Sequence, residues 1–142
     1  MIEKSDSELN TQSVLSMKGS GYYSQKTAGA KNAIDSIKEL VHRSVSDLPK
    51  TEFLRFADFG SADGGTSQEF WFRLVKRLRE SGDKRPIEII YTDLASNDFT
   101  TLFKAMQGLG DNRDFAYQKF YGNVFVHGCG TGFHQQLLSD GT

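Results

Sequence analysis

The sequence lacks most of the features that make a function easy to assign, and each absence excludes something. It has one cysteine, Cys129, which excludes an intrachain disulfide and points to a reducing compartment. Neither charge sign is in excess: 17 basic side chains face 18 acidic ones, for a formal net of −1. Without a basic surplus there is no phosphate-backbone footprint, so nucleic acid is not expected as the main partner. No apolar run approaches the length of a membrane span, and the N-terminus is polar and mixed in charge. Neither a transmembrane helix nor a signal peptide is therefore expected, and the expected location is cytoplasmic. The three histidines show no metal-ligand spacing, Cys129 has no matching partner pattern, and no metal site is expected. His42, on the first helix, and His127 and His134, flanking the last loop, are read as surface or capping residues. No serine sits in a G-x-S-x-G elbow, and there is no internal repeat or low-complexity segment.

What is present reads as one domain of alternating strands and helices, long enough for a sizeable core. Met1 to Gln12 is polar and is expected to be a disordered tail. A glycine-punctuated loop, Lys18 to Tyr23, precedes an amphipathic helix from Thr27 to Ser46, whose stripe is Ala30, Ala33, Ile34, Ile37, Leu40 and Val41. Phe53 to Phe59 is the first strand. Thr66 is expected to cap the next helix, with Glu69 completing a capping box and Phe70, Trp71, Leu74, Val75 and Leu78 facing inward. Pro86 to Tyr91 is a second strand ending at Asp93, and Asp98 caps a third helix bearing Phe99, Leu102, Phe103 and Met106. After a loop from Gly108 to Asp114, Val124 to Val126 is a third strand. It leads to a glycine-rich loop, Gly128 to Gly132, and a last short helix with Phe133, Leu137 and Leu138. This order implies right-handed crossovers and a parallel sheet. Three strands are few, and an open edge is expected beyond the third. The chain is therefore expected to be a fragment, or a partial gene model, of a longer protein.

The chemistry concentrates at Ala57-Asp58-Phe59-Gly60-Ser61-Ala62-Asp63-Gly64-Gly65-Thr66, where an apolar strand meets an acid and then a glycine-rich turn. Nucleotide-like ligands are held at such strand ends. Two roles are open to Asp58: binding a ligand's amino group or hydroxyls, or bonding the turn backbone. Gly60 and Gly64 are expected to let the backbone approach a ligand. Asp93, at the end of the second strand, suits the two hydroxyls of a ribose; its alternative is to cap the following helix, a job for which Asp98 is better placed. The dinucleotide fingerprint G-x-G-x-x-G fits poorly. The pattern D-x-G-x-x-x-G of S-adenosylmethionine-dependent methyltransferases fits well.

Four ordered blocks from Val14 to Leu138 resemble one family, the SABATH methyltransferases. Val14 to Gly19 resembles V-L-x-M-x-G, and Ala57 to Ala62 resembles A-D-L-G-C-S. Asp93 to Phe99 resembles D-L-P-x-N-D-F, and Phe125 to Leu137 is similar to F-x-x-G-V-P-G-S-F-Y-x-R-L. The resemblance implies an incomplete Rossmann-like methyltransferase sheet of class α/β, with residues 13–142 as the N-terminal part of that domain. It implies S-adenosyl-L-methionine as cofactor, a small-molecule acceptor (a carboxylic acid or heterocycle), and a possible homodimer. Tyr23, Asp58, Ser61, Thr66, Asp93, Leu94, Gly132 and Phe133 fall on positions that line the cofactor site, with Phe133 packing on the adenine and Tyr23 closing over the methionine end. For both aromatics, plain core packing is the alternative. Lys18 falls near the acceptor, where a cation could orient a carboxylate; otherwise it is solvated. No catalytic residue is assigned.

The departures are informative. Ala30 stands where the family often has a glutamine, and it cannot donate to an acceptor carboxylate. Thr66 replaces an asparagine and Gly132 a serine. The family's later segment, with most acceptor-binding residues and a tryptophan, is absent. The expected function is methyl transfer to the carboxylate oxygen, or a nitrogen, of a small molecule, with only the cofactor-binding half represented. The alternative is a truncated, inactive relative acting as a nucleoside-binding or dimerisation module; an oxidoreductase domain is the third reading.

Overall fold

The computed structural model describes residues 28–141. The expected tail and the loop carrying Lys18 and Tyr23 lie outside them.

A three-stranded parallel sheet is built from β1 (Leu54–Phe59), β2 (Ile87–Asp93) and β3 (Val124–Gly130), in the order β1-β2-β3. Leu54 pairs with Ile87 and Ile87 with Val124, so all three strands run in step to their carboxyl ends. β2 reads Ile-Glu-Ile-Ile-Tyr-Thr-Asp and is almost wholly buried, as a central parallel strand should be. Among the described residues both outer strands have an unpaired edge, β1 as well as the expected β3. One face of the sheet carries Leu54, Phe56, Ile87, Ile89, Tyr91, Val124 and Val126. It packs against α2 (Gln68–Glu80), α3 (Phe99–Gln107) and the short α4 (Tyr117–Phe120), and this is the core. Fully burying each large apolar side chain here contributes about 1.5–3 kcal/mol. At its centre the Tyr91 and Tyr117 hydroxyls lie 2.8 Å apart, and burial raises both phenols above their usual range. The other face carries Arg55, Phe59, Glu88, Phe125 and His127. Phe59 is 60% and Phe125 49% exposed.

Several expectations are corrected. α1 (Ala28–Ser46) forms where its periodicity places it, but it docks through a neighbouring line. His42 and Val45 are buried and Val41 is partly so, whereas Ile37 and Leu40 stay exposed. His42 is thus an interior residue, not a surface one. Thr66 does not cap α2: the cap position is Ser67, in a helical conformation with no side-chain cap bond. Glu69 instead pairs with Lys31 of α1 and Arg73, each at 2.6 Å, and so ties α1 to α2. β3 runs on to Gly130, so most of the expected glycine loop is strand. Phe133 to Leu138 forms turns and no helix. The expected loop from Gly108 to Asp114 runs into a 3-10 turn (Arg113–Phe115), and α4 forms in the stretch between that loop and β3, to which no element was assigned from sequence. Asp98 does cap α3, its carboxylate accepting the Thr101 N–H at 3.0 Å.

Candidate cofactor site at the strand tips

The carboxyl ends of the three strands meet at one end of the sheet. The Asp58 side of β1 opposes Tyr91, and Asp93 opposes Gly130. Open parallel sheets bind ligands at this end.

The turn after β1 is bound to the tip of β2. The N–H groups of Gly60 and Ser61 both donate to the Thr92 carbonyl, at 2.9 and 3.1 Å. The Ser61 hydroxyl turns the same way, to the Thr92 carbonyl at 3.4 Å, and Ser61 is buried. Ala62 then takes the left-handed region, with φ 49°, a conformation that costs a non-glycine residue about 1–3 kcal/mol. Two side chains hold it there. Asp93 Oδ2 accepts the Ala62 N–H at 2.7 Å, and Asn97 Nδ2 donates to the Ala62 carbonyl at 2.6 Å. Asp93 Oδ1 accepts the Leu94 N–H at 2.7 Å. Asp93 is 8% exposed, so it is a buried acid whose two oxygens each take one backbone donor.

Asp58 faces a different direction. Its Oδ2 accepts the Ser67 hydroxyl at 2.6 Å and the Trp71 indole N–H at 2.9 Å. It therefore ties the start of α2 to β1. Asp63 closes the turn, its Oδ1 accepting the Gly65 N–H at 3.0 Å.

The glycines divide by surroundings. Among the described residues, nothing lies within 4 Å of where a Cβ on Gly60, with φ 74°, would stand, so they leave space open before its backbone. Gly64, with φ 80°, is filled: a Cβ would come within 2.7 Å of Met106 Cε and 3.1 Å of Leu102 Cγ. Gly64 therefore serves the packing of the turn on α3, which corrects the expectation that it admits a ligand. Gly128 is likewise closed by Phe103 and Phe99.

Beside Asp93 the surface is apolar. Leu94 is 46% exposed and Phe133 66%, and a Cβ on Gly132 would lie 3.5 Å from Leu94 Cδ2. The structure thus brings together Gly60, Ser61, Asp93, Leu94 and Gly132 at the tips, with Phe133 next in chain. Thr66 lies at the far end of the turn, partly buried. Sequence reasoning missed Asn97, although it lies within the quoted block Asp93 to Phe99; its spacing from Asp93 was the available signal. It also missed Gln68, fully buried, whose amide donates to the carbonyls of Ala105 and Asn112 at 3.1 and 3.2 Å and so ties α2 to the end of α3 and the loop beyond it. Among the described residues no cluster of three potential metal ligands occurs, and no helix is long and apolar enough to cross a membrane.

Comparison with known proteins agrees with this fold. Methyltransferase FUS9 of Gibberella moniliformis (strain M3125 / FGSC 7600) is 26% identical over 124 residues, covering 86% of this chain and 33% of that protein. A solved structure, loganic acid methyltransferase with SAH, matches with a TM-score of 0.60 at 22% identity, over 87% of this chain and 36% of that one. That likeness shows the fold, a partial Rossmann-like methyltransferase sheet. The chain spans about a third of the length of each of these relatives. Residues 11–142 match a family model described as SAM dependent carboxyl methyltransferase, and the chain belongs to that family.

Proposed function

We propose that these residues form the cofactor-binding part of an enzyme that methylates the carboxylate oxygen of a small molecule, with S-adenosyl-L-methionine as cofactor. A ring nitrogen of a heterocycle is the second acceptor class. The observation that carries the reading is the pairing of a buried acid, Asp93, with exposed Leu94 and Phe133 and the open space before Gly60. An adenosyl group is a polar diol joined to a flat apolar base, and these residues match both halves. Each Asp93 oxygen keeps a second lone pair beyond the N–H it accepts, so it can take a ribose hydroxyl. Leu94 and Phe133 offer apolar surface for the base and exclude water from it, and Gly132 leaves room there. Ser61 and Thr66 shape the turn around the ligand. Asp58 acts on the site by holding α2 to β1. Tyr23 and Lys18 enter the proposal from the sequence alone, as a cover for the methionine end and an acceptor contact.

Bound S-adenosyl-L-methionine supplies an activated methyl group. A carboxylate acceptor is already ionised at neutral pH, so no residue of this chain is asked to remove a proton. The protein's work is to align the two reactants and keep water out. The near balance of charge favours such a small partner over nucleic acid, and the lone Cys129 suits a cytoplasmic setting. Titration calorimetry tests the reading. S-adenosylhomocysteine should bind, NAD should not, and Asp93→Ala should weaken binding by about 1.5–3 kcal/mol, the worth of a hydrogen bond to a charged group. Unchanged affinity in Asp93→Ala removes Asp93 from the site.

The β1 and β3 edges, unpaired among the described residues, and the exposed Phe59 and Phe125 favour a second role, association of this unit with another sheet, including a second copy.

A further inference from the structure

We infer that Asn97 is a positioning residue for the cofactor turn, holding Ala62 left-handed so that Asp93 and the turn after β1 keep one shape. The inference rests on the cofactor reading above. Ala62 is buried, and among the described residues only it and Asn123 are non-glycines with positive φ. An alanine holds that conformation only where its surroundings dictate it. Here they do so from both sides of the residue: Asp93 takes its N–H and Asn97 binds its carbonyl. Asn97 is itself anchored. Its N–H donates to the Leu94 carbonyl at 2.9 Å, and its carbonyl accepts from Phe99 at 2.9 Å, at the start of the Asp98-capped helix. The shape of the turn after β1 is therefore dictated by the exit from β2. Without the Asn97 amide, Ala62 is free to relax to negative φ. Its N–H then swings away from Asp93, and the carboxylate loses the donor that orients it.

Glycine provides the test, because it occupies positive φ without strain. Asn97→Ala should weaken S-adenosylhomocysteine binding by about tenfold or more in calorimetry, and should speed hydrogen exchange at the Ala62 amide while the β2 amides stay protected. Adding Ala62→Gly to Asn97→Ala should recover most of that affinity. A merely structural asparagine would lower Tm equally in the single and double variants and show no such recovery. Asn97→Asp, isosteric but without the donor, repeats the test if the alanine variant fails to fold. Near wild-type affinity in Asn97→Ala, or a double variant no better than the single, overturns the inference. If the unaltered chain binds no S-adenosylhomocysteine, the cofactor reading falls by itself and exchange decides: an unchanged Ala62 rate in Asn97→Ala overturns the positioning role, and a faster one upholds it.

Discussion

Gly60 and Gly64 have nearly the same backbone, φ 74° and 80°, and opposite surroundings. At both, a side chain costs about 1–3 kcal/mol in conformation. Only Gly64 also pays in overlap, because its Cβ meets Met106 and Leu102, and overpacking adds about 1–3 kcal/mol. Thermal melts should therefore show Gly64→Ala clearly less stable than Gly60→Ala. Calorimetry should show the reverse order of harm, since a methyl at Gly60 intrudes on the space assigned to the ligand. If Gly60→Ala binds S-adenosylhomocysteine as the unaltered chain does, the ligand does not approach there. Motif spacing revealed that these glycines matter but could not separate their jobs. What separates them is a helix forty residues on, which no local pattern reports. Asp58 was legible as important for the same reason, while its partners, Ser67 and Trp71, became visible only once α2 was placed.

At the scale of elements, the core strands and the three longer helices were legible because their apolar periods are strong. The losses came where tertiary contacts outweigh pattern. The stripe of α1 predicts burial of Ile37 and Leu40, yet α1 docks chiefly on α2 and turns His42 and Val45 inward. Burial, helped by the nearby Arg77, lowers the pKa of His42 from 6.5; Glu39 opposes and Lys38 assists. A lowered histidine pKa means the folded state binds fewer protons, so stability is full above 6.5 and falls as pH drops through the folded value. Glu69, held down by Lys31 and Arg73, and Asp83, held down by Arg85, act in the same direction from 4.5 and 3.8. Melting temperature should then fall in two stages on acidification, and His42→Gln should remove the upper stage alone; a single stage in both proteins would refute the assignment. Arg79 is a second element-level joint. Its guanidinium donates to the carbonyls of Asp83, Arg85, Gly122 and Asn123 at 2.9–3.2 Å, binding the segments before β2 and β3 to α2. An ammonium cannot reproduce that fork. Arg79→Lys should lose nearly as much stability in denaturant titration as Arg79→Ala, about 1–3 kcal/mol.

On the scale of the whole molecule, one face of the sheet is covered and the other, among the described residues, leaves Phe59 and Phe125 in solvent. Parallel sheets bury both faces in stable proteins, so the chain should self-associate with rising concentration. Sedimentation of the double variant Phe59→Lys, Phe125→Lys should show less association at an unchanged melting temperature; equal association would place the contact elsewhere. The alternation of strand and helix made the parallel sheet legible, and the shortage of elements made its incompleteness legible, but which strand stands central required the pairing itself. The paired hydroxyls of Tyr91 and Tyr117, lodged where β2 meets α4, carry a practical corollary. Two of the five tyrosines remain un-ionised in alkali until strand and helix part, since their folded pKa values stand above 10.0. Native stability accordingly drains away as pH climbs beyond that value, and the ultraviolet absorbance of newly formed phenolate after an alkaline jump becomes a built-in clock for the opening of the core.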